Sequence, residues 1–285
     1  MTFDPRITPA RPDLAAEHLR GQVQAERFVA GTVRAVIDPV APLRRAPFPD
    51  APLDTEALLG ERVTVYETTE EGFAWGQLAN DGYVGWLPAN ALSAPGPEPT
   101  HKVAALRTLV FPGPSIKLPP VTWLPLGARL AIVRHEGRLA MTPNGGYLPG
   151  NHLVPLIETE PDFVAVAERF TGTPYLWGGK SSLGLDCSGL VQVALTACGI
   201  ACPRDSDMQE QALGHRVVPN ADYTNLRRGD LVFWKGHVAI VRDAATLLHA
   251  NAFHMSVTAE PLAGAIARIK ASDSEPRSVK RIAAP

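Results

Sequence analysis

Residues 93–99 read Ser93-Ala94-Pro95-Gly96-Pro97-Glu98-Pro99. Prolines donate no backbone N–H, so this stretch admits neither a helix nor a central strand, and the chain must organise separately on either side of it. Upstream, short alternating runs at 31–37, 62–67, 74–78 and 83–87 are punctuated by Glu71-Gly72 and Asn80-Asp81-Gly82. An Asp-Gly pair between two alternating runs predicts a tight hairpin. Downstream, 101–156 has the same texture, with strands expected at 129–133 and 139–141. Its Gly145-Gly146-Tyr147-Leu148-Pro149 echoes Asp81-Gly82-Tyr83-Val84-Gly85-Trp86-Leu87-Pro88, which suggests a duplicated small barrel.

Beyond Pro161 the pattern changes. Helices are expected at 162–170 and Cys187–Ala197, the second carrying Leu190, Val193, Ala194 and Ala197 at i, i+3, i+4, i+7 spacing. Strands follow at 230–234, 238–242, 246–250 and 265–269. Helices followed by a run of strands predict an α+β domain. Ahead of the first barrel, Leu14, Leu19, Val23 and Phe28 predict a helix over 13–28. The expected division is a helical lead at 1–30, small barrels at 31–97 and 98–158, and a mixed domain at 159–285.

Charge and cysteine usage narrow the partners. A formal net charge of −2 in 285 residues offers no attraction to nucleic acid or to an anionic membrane. Arg6, Arg11, Asp13 and Glu17 interrupt any secretory leader in the first residues, and no run approaches the roughly 18 apolar residues of a membrane span. The expectation is a cytoplasmic protein. Its 3 cysteines all fall between 187 and 202, which is no disulfide framework and fits a reducing compartment. Cys198 and Cys202 read as ordinary buried thiols.

The remaining cysteine stands in Asp186-Cys187-Ser188-Gly189-Leu190, at the start of an expected helix. Aspartate before a helix caps free N–H groups, and the helix N-terminus favours thiolate, the nucleophile of acyl transfer. Gly236-His237-Val238 puts a histidine at a strand start, and Leu248-His249-Ala250 puts another on the next strand. Adjacent antiparallel strands bring two such imidazoles within hydrogen-bond reach. Cys187 as nucleophile, His237 as general base and His249 as its orienter then complete a triad. Such chemistry requires no metal or cofactor, and no two histidines have the His-x-x-x-His spacing of a zinc peptidase.

Residues 168–250 resemble the NlpC family of papain-like cell-wall cysteine peptidases. The resemblance is carried by Thr173-Pro174-Tyr175-Leu176-Trp177-Gly178-Gly179, Leu185-Asp186-Cys187-Ser188-Gly189-Leu190, Arg204-Asp205-Ser206, Arg228-Gly229-Asp230-Leu231-Val232-Phe233-Trp234, Gly236-His237-Val238 and His249, in the family's order. It implies a papain-like catalytic domain that hydrolyses the amide between γ-D-glutamate and a diamino acid in peptidoglycan stem peptides. It also implies an oxyanion site formed by the Cys187 N–H and the Tyr175 hydroxyl, and substrate contacts at Asp186, Ser188, Asp205 and Ser206. Asp186 reads equally as a helix cap, and Ser188 and Ser206 as turn or cap hydroxyls.

The front half resembles the bacterial SH3-like barrels that precede some NlpC-type domains. There the first barrel closes one end of the substrate groove and selects peptides with a free N-terminal L-alanine, as in muropeptide recycling. Tyr83 matches the barrel tyrosine of that arrangement, while Asp54 and Glu56 both remain open as the acidic partner of the peptide amine. Two other readings stay open. One is an N-acetylmuramoyl-L-alanine amidase, because Asn251 shares a strand face with His249. The other is a wall-peptide binding protein that has lost catalysis.

Overall fold

The computed structural model describes residues 3–282 and divides into two compact units, one ending at Glu158 and the other beginning at Thr159. In the first, a seven-stranded sheet runs in the order Leu53–Leu58, Val40–Arg44, Val84–Pro88, Phe73–Leu78, Arg62–Thr68, Thr32–Val36, Leu92–Ser93. Its core gathers Val36, Leu43, Val63, Leu78, Tyr83 and Leu87. Phe73–Leu78 and Val84–Pro88 form the hairpin expected around Asp81-Gly82, and Gly82 takes φ +75° at the turn. Gly85 is required by proximity, because a Cβ there would stand 2.1 Å from Leu43 Cδ2.

The helix expected over 13–28 does not form. Leu14–Ala16 is instead a strand paired in parallel with Arg27–Val29, and only Glu17–Leu19 between them makes a 3-10 turn. Gly21 adopts φ +80°, outside helical geometry. Leu14, Ala16 and Leu19 gain more by burial against Tyr66, Trp75 and Trp86 than a marginal helix would offer. The Arg11 guanidinium stands 4.4 Å from the Trp75 ring centre and pairs with both Asp13 and Glu67, fastening this lead to the sheet.

Further along the same unit, three small sheets surround Val103, Val110, Leu124, Leu130, Ala140 and Leu148. The strand expected at 129–133 shortens to Arg129–Leu130, paired with His101 and Lys102. The sequence echo has a structural counterpart. Val84–Pro88 leads through the 3-10 turn Ala89–Ala91 into Leu92–Ser93, and Tyr147–Pro149 leads through Gly150–His152 into Leu153–Pro155.

The second unit is built on a six-stranded sheet ordered His215–Val217, Ser278–Arg281, Asp230–Trp234, His237–Asp243, Thr246–Asn251, Ser256–Pro261. The last four in that order follow one another along the chain as an antiparallel meander. Leu231, Val232, Phe233 and Trp234 are all buried, so this sheet is covered on both faces. Helix α1 (Phe163–Glu168) is capped by Asp162, and α2 (Cys187–Ala197) lies against the His237–Asp243 and Thr246–Asn251 strands.

A strand expected at 265–269 is instead part of helix α4 (Leu262–Ser272). Leu262, Ala265, Ile266 and Ile269 fall at i, i+3, i+4 and i+7, and all four pack on Val232, Ala239 and Leu247. Helix α3 (Ser206–Ala212) and the strands Ser256–Pro261 and Ser278–Arg281 were not expected. No helix among the described residues is long and apolar enough to cross a membrane.

Candidate active site

Cys187 is the first residue of α2, and Asp186 immediately before it is the N-cap. Asp186 Oδ1 accepts from the Gly189 N–H at 2.7 Å and Oδ2 from the Gly178 N–H at 2.8 Å. The Arg204 guanidinium meets the same two oxygens at 3.0 and 2.6 Å, and Arg204 Nη1 also donates to Ser188 Oγ at 2.9 Å. Gln209 on α3 donates to the Ser188 carbonyl at 2.9 Å. Asp186, Ser188, Arg204 and Gln209 are all buried, so the turn that carries the thiol is held by a buried polar network in which Gln209 Oε1 is left without a partner among the described residues.

The meander supplies the histidines. His237 opens one strand and His249 lies on the next, and His237 Nε2 stands 2.8 Å from His249 Nδ1. The Cys187 Sγ–H points to the Gly236 carbonyl at 4.0 Å, and the Val238 N–H also faces the sulfur. The residues flanking His237 on both sides therefore border the thiol, which brings Cys187, His237 and His249 into one place.

Burial favours the neutral forms of Cys187 and His237. Burial, with help from the Asp186 carboxylate, pushes the Cys187 thiol up to about 12, against the opposing Val238 N–H and Arg204. Burial also lowers His237 to about 3, with His249 and Arg268 acting in the same direction and Glu260 against it. Desolvation of the sulfur thus works against the end of α2, which by itself favours the thiolate. A neutral imidazole beside a neutral thiol is still competent, since it has a free lone pair to receive the proton.

Tyr175 is half-buried, fixed by its N–H to the Met255 carbonyl at 2.9 Å and by a bridge to Leu185. Burial, then the proximity of Cys187 and Asp186, raise its phenol, which therefore keeps its proton. Ser206 is buried at the start of α3, with Asp205 as the N-cap residue. Tyr83 belongs to the first unit, buried with Val63, Leu78 and Leu87. Asp54 and Glu56 share the Leu53–Leu58 strand, where Asp54 pairs with Arg45 at 2.6 Å and Glu56 is buried.

One residue at this centre was missed by sequence reasoning. Glu260 Oε1 lies 2.7 Å from His249 Nε2 and also accepts from Arg268 Nη2 on α4. These partners hold the Glu260 carboxyl down at about 2. Only the strand register, Leu247 opposite Glu260 and His249 opposite Thr258, puts Glu260 diagonally across from His249 on one face. Asn251, the residue behind the amidase reading, instead accepts from the His254 N–H at 2.8 Å. Among the described residues no cluster of three metal-ligating side chains occurs.

Known proteins match both units. Residues 43–92 match the bacterial dipeptidyl-peptidase Sh3 domain, and residues 172–271 match the NlpC/P60 family. A gamma-D-glutamyl-L-lysine dipeptidyl-peptidase of Bacillus subtilis is 30% identical over 228 residues, 70% of this chain and 73% of its own length. A Bacillus cereus protein of the same name is 27% identical over 241 residues, 74% of this chain and 71% of its own length. The crystal structure of an NlpC/P60 family protein from Bacillus cereus shares the fold, with a TM-score of 0.74 at 24% identity across 89% of this chain and 100% of the other. With the two matched regions in this order, the chain belongs to the NlpC/P60 family of cysteine peptidases and carries an SH3-like domain ahead of its peptidase domain.

Proposed function

We propose that this peptidase hydrolyses the amide between γ-D-glutamate and an L-diamino acid in peptidoglycan-derived peptides, through Cys187, His237 and His249. The observation that carries the triad is the 2.8 Å contact between His237 Nε2 and His249 Nδ1, which leaves Nδ1 as the base nitrogen of His237. As Cys187 Sγ bonds to the γ-carbonyl carbon, the thiol proton passes to that nitrogen. The oxyanion is met by the Cys187 N–H at the start of α2 and by the Tyr175 hydroxyl. Collapse breaks the C–N bond, and His237 returns its proton to the departing diamino acid amine. Water then gives a proton to His237 as its oxygen bonds to the thioester carbon, the C–S bond breaks to release the γ-D-glutamyl acid, and His237 returns the proton to Cys187 Sγ. Asp186 and Ser188 fix the nucleophile's turn beside the scissile bond, while Asp205 and Ser206 are the substrate contacts on the α3 side.

The relatives are named for a γ-D-glutamyl-L-lysine bond, and a dipeptidyl-peptidase releases an N-terminal dipeptide. The substrate that fits this is a peptide with a free N-terminal L-alanine, such as arises in cytoplasmic wall recycling. In this reading 31–97 forms the first barrel and 98–158 the second. Incubation with L-Ala-γ-D-Glu-diaminopimelate and with its N-acylated form, read by mass spectrometry, tests both levels. Release of the diamino acid from the free-amine peptide alone supports the whole reading. Cleavage of both keeps the bond assignment and removes the amine requirement, and cleavage of neither overturns the assignment.

A further inference from the structure

We propose that Glu260, braced by Arg268, is a positioning residue that selects the proton pattern of both active-site histidines and so decides whether His237 is a base at all. The inference rests on the reading of Cys187 and His237 as nucleophile and base. An ionised carboxylate has no proton to give, so the 2.7 Å contact requires His249 Nε2 to carry the hydrogen. With a single hydrogen on the His249 ring, held on Nε2, the other nitrogen Nδ1 accepts. His237 Nε2, 2.8 Å away, is then the donor, and its Nδ1 keeps a lone pair for the thiol proton.

The alternative pattern uses the same ring positions. If His249 carried its hydrogen on Nδ1, it would donate to His237 Nε2, and His237 Nδ1 would be an N–H with nothing to offer the thiol. The two heavy-atom arrangements are identical, so geometry within the triad does not choose between them. Glu260 makes the choice.

Everything that faces Glu260 supports an ionised, accept-only carboxylate. His249 on the Thr246–Asn251 strand and Arg268 on α4 both donate to Oε1. Arg268 is itself held, with its guanidinium 4.3 Å from the Phe253 ring centre and α4 anchored through Leu262, Ala265, Ile266 and Ile269. The arginine also has an opposing effect, since its charge disfavours protonation of His237 while that of Glu260 favours it. The two charges of the pair therefore act in opposite directions on the base.

The test uses the full chain and 15N NMR of the imidazoles at pH 7, with His237 and His249 assigned by single substitution. In the wild type both rings should carry hydrogen on Nε2, and a hydrogen on Nδ1 of His249 would overturn the proposal without any variant. Glu260→Leu should shift His249 to the Nδ1–H form and lower kcat on the order of 10–100-fold, with KM nearly unchanged. Glu260→Gln keeps an acceptor oxygen and should restore most of the turnover together with the wild-type tautomers. A Glu260→Leu protein that keeps both wild-type tautomers sinks the proposal, whatever its rate. Because the NMR readout needs no turnover, hydrolysis that survives Cys187→Ala would fault the nucleophile assignment alone.

Discussion

The Arg204 guanidinium grips both carboxylate oxygens of Asp186, at 3.0 and 2.6 Å, at a position where Arg204 is 1% exposed. This pair lies directly under the nucleophile's turn, so its integrity and the aim of Cys187 are linked. Arg204→Met would strand a buried carboxylate and should cost about 3–5 kcal/mol, whereas replacing both partners by apolar residues should cost less. Urea titrations of the single and double variants check this, and equal losses in the two would contradict it.

The same turn tolerates no side chain at Gly189. A Cβ there would stand 2.2 Å from the Gly179 carbonyl oxygen, which is backbone and has little freedom to move. Alanine usually stabilises a helix relative to glycine. Here Gly189→Ala should instead lower stability by about 1–3 kcal/mol and reduce turnover, because α2 must shift away from Gly179. Thermal unfolding and a rate assay on one sample measure both effects.

Within the triad, Cys187→Ala should abolish hydrolysis while leaving peptide affinity nearly intact. His249→Ala should reduce kcat less than His237→Ala, because an orienting residue contributes less than the base it positions. Steady-state kinetics with calorimetric binding would separate these outcomes, and substantial turnover by the cysteine variant would refute the nucleophile assignment.

The neutral thiol and imidazole have a kinetic signature. With Cys187 raised to about 12 and His237 lowered to about 3, the free enzyme should hold no preformed ion pair near neutrality. Alkylation by iodoacetamide should therefore rise about tenfold per pH unit between roughly pH 6 and 9, as the thiolate fraction grows. A plateau across that range would show an ion pair instead.

Stability should carry a matching signature. The unfolded chain protonates His237 near pH 6.5, but the folded chain resists until about 3. Between those values the unfolded state binds the extra proton, so stability falls as pH falls through that window. Glu260, held at about 2, contributes stability that is complete above the ordinary glutamate value and is lost only as pH drops through its own lowered one. From about pH 6.5 to 4.5 the contribution of His237 stands apart from that of Glu260. His237→Gln should flatten the decline of Tm in that interval, as calorimetry at stepped pH would report.

What the amino-acid sequence determined by itself was everything carried by local order. The run of prolines at 95–99 divides the first unit's strands, and the 3.6-residue period of Leu190, Val193, Ala194 and Ala197 marks α2 with the bounds observed. Asp186 before Cys187 and the histidines on successive strands suggested the proposed triad, because the residue types and their places on a helix start and adjacent strands are legible from neighbours in the chain. Tertiary structure alone decided the rest. Leu14 and Leu19 abandon a helix because Trp75 and Trp86 offer them a better burial. Residues 265–269 are helical because their apolar positions must meet one face of the sheet. The ionisation of Cys187 depends on how much water reaches the sulfur, and no short motif encodes that. Glu260 acquires its place beside His249 only through the register of two strands, where a shift of one residue would turn it to the opposite face.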